Sequence, residues 1–113
     1  MKFNHFGTFV GYLKHEIKLG EQYHMGVDLQ PGYTAADRGI YDCVRTYTVT
    51  DSQSQIIASH KVKNIMYDDR KELEEDVSHY HAGSIFGELR PYFKEKDLEL
   101  IVRGGMFRLE KVE

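Results

Sequence analysis

Tryptophan is missing from this 113-residue chain, cysteine occurs once and proline twice, and each shortage closes off a class of protein. A lone Cys43 cannot form an intrachain disulfide, which excludes the small secreted scaffolds held together by cystines and suits a reducing compartment. With Pro31 and Pro91 alone, no proline-rich linker or polyproline segment can be drawn. Long apolar runs are also missing. The longest aliphatic stretch is Leu100-Ile101-Val102, against the roughly 20 apolar residues that a membrane-spanning helix needs. Met1–Lys18 is interrupted by polar or charged residues every few positions and lacks the apolar core of a signal peptide. The expectation is a cytoplasmic protein with no membrane association.

Basic charge is not in excess either. Lys and Arg number 15 against 18 Asp and Glu, for a net charge of −3. Most of that deficit sits in one place, since Asp68–Asp76 carries six acids against Arg70 and Lys71. The rest of the chain is close to neutral. Without a basic surplus, general nucleic-acid binding through phosphate neutralisation is disfavoured. No phosphate-binding loop, nucleophile elbow or paired metal-binding cysteine motif is found. His15-Glu16 does not open a zinc-protease HExxH motif, because Leu19 stands where the second histidine would be required. His79 and His81, two apart, would converge on a strand but point about 200° apart on a helix. No metal or cofactor is expected.

What remains is material for a core: 41% hydrophobic residues, with eight Tyr and six Phe. That is enough to order a chain of this length as a single domain over residues 1–113. The clearest local pattern is C-terminal, where Gly104-Gly105 separates two alternating segments. A two-residue turn there pairs Val102 with Phe107 and Leu100 with Leu109, leaving Glu99, Arg103, Arg108 and Glu110 on the wet face. A second hairpin is read from Ile40–Thr50 into Gln55–Ile65 through Asp51-Ser52-Gln53-Ser54. Its expected register sets Val49 against Ile56, Tyr47 against Ala58, Cys43 against Val62, Arg45 against His60 and Asp42 against Lys63. Tyr23, Met25, Val27 and Leu29 alternate with polar residues or glycine, as in a half-buried strand. A turn at Leu19-Gly20-Glu21 would fold a preceding strand onto it, placing Ile17 by Tyr23, Leu13 by Val27 and His15 beside Met25.

Asp69 is a plausible helix N-cap with Glu72 three residues on. The apolar stripe of Leu73, Val77 and Tyr80 is offset by about 160° from that of Ile85, Phe86, Leu89, Tyr92 and Phe93, which argues for a break near Gly83. Pro91 should end or kink the second helix. The expected order is β-β-β-β-α-α-β-β: an α+β fold with an antiparallel, curled sheet of about six strands and a helical pair over one face.

Three functional readings follow. The leading one is a small non-catalytic binding protein (an adaptor, inhibitor or subunit) that meets a protein partner or a second copy of itself. Its contacts would be sheet edges, the acidic residues Asp68, Asp69, Glu72, Glu75 and Asp76, and Tyr33 and Arg38 in the long Gln30–Gly39 loop. The alternative is a small enzyme or ligand-binding domain using a concavity between sheet and helices. There Arg45 would bind an anionic group and His60 act as base, with Tyr47, Tyr80 or His15 nearby. A third reading is nucleic-acid binding, which would require Arg103, Arg108, Lys61 and Lys63 to gather on one sheet face. Cys43, on a core-facing position, reads as a packed small hydrophobe.

Overall fold

In a computed structural model that describes residues 1–31, 41–69, 71–72 and 83–112, the chain has the expected α+β class, with helices packed on a sheet. The described elements are β1 (Lys2–Phe3), α1 (Phe6–Glu16), β2 (Tyr23–Pro31), β3 (Tyr41–Thr50), β4 (Ile56–Tyr67), α2 (Gly83–Lys94), β5 (Leu98–Arg103) and β6 (Met106–Lys111). The six strands form one open sheet in the order β1-β4-β3-β2-β6-β5. Among these six strands every pairing is antiparallel except β1 with β4, which is parallel, and an isolated parallel bridge joins Leu19 to Leu109. No helix among the described residues is long and apolar enough to cross a membrane.

The first expected strand is a helix. Leu13 and Ile17 are four apart, a spacing that fits a strand face and a helix face equally well, and it was the adjacent pair Phe9 and Val10 that decided the outcome. Phe9, Val10 and Leu13 are all buried, as the i, i+1, i+4 spacing of one helical face allows and strand alternation does not. His15 therefore stands on the exposed side of α1 against the edge of the Tyr92 ring, 6.5 Å between centroids, and not beside Met25. Gly7 and Gly11 mark no close approach, for a Cβ at either would meet nothing within 4 Å. The observed order of described elements is β-α-β-β-β-α-β-β; among the described residues the helices on the sheet are α1 and α2, while the stripe Leu73, Val77 and Tyr80 of the helix expected from Asp69 lies outside them.

Pro91 lies within α2 without ending it: Glu95 N–H still donates to the Pro91 carbonyl at 3.2 Å, and the chain turns only through Lys96 and Asp97. The bond that Pro91 cannot make would have gone to Gly87, on the exposed side of the helix, where water can satisfy that carbonyl. Ile85, Phe86, Leu89 and Phe93 form the buried face. They pack with Phe9, Val10 and Leu13 of α1 over Tyr23, Met25, Tyr47, Val49, Ala58, Leu100, Phe107 and Leu109 of the sheet.

The C-terminal hairpin has its expected register, Val102 with Phe107 and Leu100 with Leu109, and both turn glycines take positive φ, as a primed two-residue turn requires. In the β3–β4 hairpin the strands are as expected but the register is two residues away from Arg45 to Val49 and three away at Asp42 and Cys43. Tyr47 opposes His60, Val49 opposes Ala58, Arg45 opposes Val62, Cys43 opposes Ile65 and Asp42 opposes Met66. The turn is longer than the sequence suggests. Asp51 Oδ1 accepts the N–H groups of Gln53 and Gln55, both at 2.9 Å, Asp51 N–H bonds the Gln55 carbonyl, and Ser54 adopts φ 62°. The added residue and two irregularities in β4, at Ile57 and Asn64, keep Tyr47, Val49, Ala58 and His60 on the core face while exposing Ile56.

Candidate functional site

Arg45, Tyr47 and His60 are brought together, Arg45 through the Tyr47 hydroxyl and His60 by stacking on the Tyr47 ring, whereas His15 lies apart against Tyr92. The Arg45 guanidinium donates from Nη2 to the Tyr67 hydroxyl at 2.9 Å and from Nη1 to the Tyr47 hydroxyl at 3.4 Å. It joins the main core to a smaller cluster of Cys43 and Tyr67 flanked by Leu29, Tyr41 and Ile65. Burial works against the Arg45 charge, but the two tyrosine oxygens outweigh it and the group titrates above its usual value. Burial pushes the Tyr67 hydroxyl up, against the pull of Arg45. It also raises the Cys43 thiol, which keeps that side chain in its neutral, unreactive form.

His60 is 3% exposed. Its ring stacks on Phe9 and Tyr47, at 5.3 and 6.2 Å between centroids, and Nδ1–H donates to the Phe3 carbonyl at 3.0 Å. That bond fixes the tautomer and ties β1 to the core. An imidazole enclosed in this way anchors structure, and neither His60 nor Arg45 lines the concavities at Gly105, Ser59, Leu98 or Glu21. No grouping of three or more His, Cys, Asp or Glu side chains suited to a metal occurs among the described residues.

Of the acidic residues expected to meet a partner, Asp68, Asp69 and Glu72 are exposed. Asp69 accepts the Glu72 N–H through Oδ1 at 2.6 Å, the bond expected of an N-cap. Glu75 and Asp76, Tyr33 and Arg38, Tyr80, and His79 with His81 lie outside the described residues. Lys61 and Lys63 share the open face of the sheet with Arg103 and Arg108, but β3 and β2 stand between their strands. Three strand spacings, about 14 Å, separate β4 from β6.

The strand order brings out a feature that the sequence could not place. In a strand, the N–H and C=O of one residue point to the same side and alternate along the chain. Met25 N–H donates to the Gly105 carbonyl at 2.8 Å, so odd-numbered residues of β2 address the β6 side. The β2–β6 ladder, however, covers Tyr23 with Phe107 and His24 with Met106, and then the hairpin turns away at Gly104-Gly105. Beyond Met25, the N–H and C=O of Val27 and Leu29 meet no strand among the described residues. Pro31, which has no N–H to offer on that side, closes the segment, as proline does on edge strands.

Where the hairpin leaves β2, a concavity of about 570 Å³ opens between His24, Met25, Gly26 and Val27 on one side and Val102, Gly104 and Gly105 on the other. Gly105 permits this close approach. A Cβ there would stand 3.2 Å from the Met25 carbonyl and 3.3 Å from His24 Nε2, and its φ of 88° is one that side chains rarely adopt. The arrangement offers backbone donors and acceptors beside a cavity that could seat a side chain. No length difference in the sequence signals it, since the alternating segment Tyr23–Leu29 spans seven residues, as do Asp97–Arg103 and Met106–Val112 on either side of Gly104-Gly105. Comparison with known proteins finds no matching family, curated protein or solved structure.

Proposed function

We propose that this chain is a small non-catalytic binding protein that takes up an extended segment of a protein partner by strand addition along β2. The observation that carries the reading is the backbone of Val27 and Leu29, which meets no strand among the described residues on the side facing away from β3 and adjoins the concavity beside Gly105. Added strands gain affinity from main-chain hydrogen bonds and specificity from alternate side chains in pockets. Here an apolar side chain of the incoming segment would rest against Val27, Val102 and the glycine turn, with the His24 imidazole at the rim.

Other stretches of edge are less suited. The part of β4 beyond β1 carries Lys61 and Lys63, and β5 carries Glu99 and Arg103, charges of the kind that discourage strand pairing. Asp68, Asp69 and Glu72 follow β4 at the end of the sheet where β2 reaches Pro31. They favour a segment with basic residues next to its paired stretch.

Selection from a displayed library of unstructured peptides tests the proposal when the hits are measured against two variants. Val27→Pro removes one outward N–H and should weaken binding at least tenfold, while Val27→Ala, which keeps that N–H, should retain most of the affinity. Equal binding by a folded Val27→Pro protein would overturn the proposal.

A further inference from the structure

A second site arises on the open face of the sheet, at the opposite margin from the concavity beside Gly105. The parallel pairing of β1 with β4 sets Lys2 beside Ser59 and Phe3 beside His60. Ser59 in turn opposes Thr48, and Lys61 opposes Thr46. The result is a concavity of about 450 Å³ whose lining includes Lys2, Lys61 and Lys63 together with Thr46, Thr48 and Ser59. Cavities of this size suit small ligands.

The charge balance there is one-sided. The lining contains no carboxylate, and among the described residues Lys2, Lys61 and Lys63 form no ion pair. The nearest acids in the ladder are Asp28, opposite Thr46 and therefore two strands from Lys61, and Asp42, one step along β3 from the Cys43–Ile65 pair and diagonal to Lys63. Lys61 and Lys63, two apart on one strand, stand about 7 Å from each other along the chain. Lys2 faces them from the neighbouring strand, so three ammonium groups border a strip of hydroxyl donors. Lysine serves as a point-charge binder of phosphate, and hydroxyls supply the shorter-range hydrogen bonds.

We infer that this concavity binds a small ligand carrying two or more linked phosphates, held by Lys2, Lys61 and Lys63 with Thr46, Thr48 and Ser59 as hydrogen-bond donors. Two or three linked phosphates match three separated cations better than a single carboxylate does. A nucleic-acid strand is a poorer occupant, because the one aromatic residue in the lining, Phe3, is committed to Phe9 and Tyr12 and gives bases nothing to stack on. Nothing in the sequence placed these three lysines together, since Lys2 reaches the other two only through the pairing of β1 with β4.

Calorimetric titration with inorganic tripolyphosphate, at constant ionic strength set by sodium chloride, tests the inference. The expected result is saturable one-to-one binding that weakens as salt rises. A Lys61→Glu/Lys63→Glu double variant should lose it at least tenfold, with the β4 amide resonances of the wild type shifting on titration. Three results would overturn it: no saturable binding, equal affinity in the folded double variant, or an oligonucleotide that binds more tightly than tripolyphosphate and increasingly so with length. Failure of the strand-addition proposal would leave this result unaffected, because Val27 and Lys61 lie on different strands and the two probes share no contact.

Discussion

Tyr23 shows how one polar atom in the core is held and what it contributes. Its ring stacks on Phe107 at 5.6 Å, while its hydroxyl accepts the Lys18 N–H at 3.0 Å and donates toward Glu21 at 3.4 Å. The link fastens the chain leaving α1 to the start of β2. Burial raises the pKa of this hydroxyl, against the lowering effect of the Lys18 N–H and with a smaller upward push from Glu21. A pKa higher in the folded than in the unfolded state means stability that is complete below the ordinary tyrosine pKa, about 10, and declines as pH rises through the folded value. Tyr23→Phe should therefore cost about 1 kcal/mol at neutral pH, by leaving the Lys18 N–H without its partner. It should also flatten the decline above pH about 10, and urea unfolding at pH 7 and pH 10.5 reads both effects. Tyr67, raised in the same sense, leaves part of the alkaline slope in the variant.

Elements differ in how plainly their sequences announce them. The C-terminal hairpin was legible to the residue because Gly104-Gly105 fixes a two-residue turn and every core-side pair is apolar. The β3–β4 hairpin was legible as strands but not in register, because Asp51 organises a loop one residue longer than the turn expected from Asp51–Ser54 and β4 absorbs two further irregularities. The period of 2 kept Tyr47, Val49, Ala58 and His60 on the core face, while Ile56 was lost to the exposed side and the pairing of Arg45 with His60 was not formed. The α1 segment was misread because its glycines suggested a weak strand. Gly7 and Gly11 instead sit inside a helix with open space over them, where glycine costs roughly 0.5–1 kcal/mol relative to alanine. Gly7→Ala and Gly11→Ala should each stabilise the protein by a few tenths to about 1 kcal/mol, seen as a higher urea midpoint with unchanged slope. A lower midpoint would place a neighbouring segment against α1.

At the scale of the whole molecule, the shape follows from unequal strand lengths. The principal extents are 54 × 25 × 24 Å and the radius of gyration is 15.7 Å, against about 13 Å for a compact domain of this length. β2, β3 and β4 run on past the part of the sheet that β5, β6 and α2 accompany. The helices cover one end, and the Cys43–Tyr67 cluster and the Arg45 bridge consolidate the extension. Among the described residues, this shape leaves one side of β2 without a neighbouring strand beyond Met25 and brings Lys2 to Lys61 and Lys63 on the far margin. Neither site could be read from the sequence, because both depend on strand order, and alternation along a strand specifies its faces without naming its neighbours.

Amide hydrogen exchange followed residue by residue along β2 tests the central claim most directly. If the edge is open, the Val27 and Leu29 amides exchange rapidly while Gly26, Asp28 and Gln30, facing β3, are protected, and a bound peptide slows Val27 and Leu29 selectively. Protection of Val27 and Leu29 in the free protein equal to that of their neighbours would show the edge to be already paired and would contradict the account.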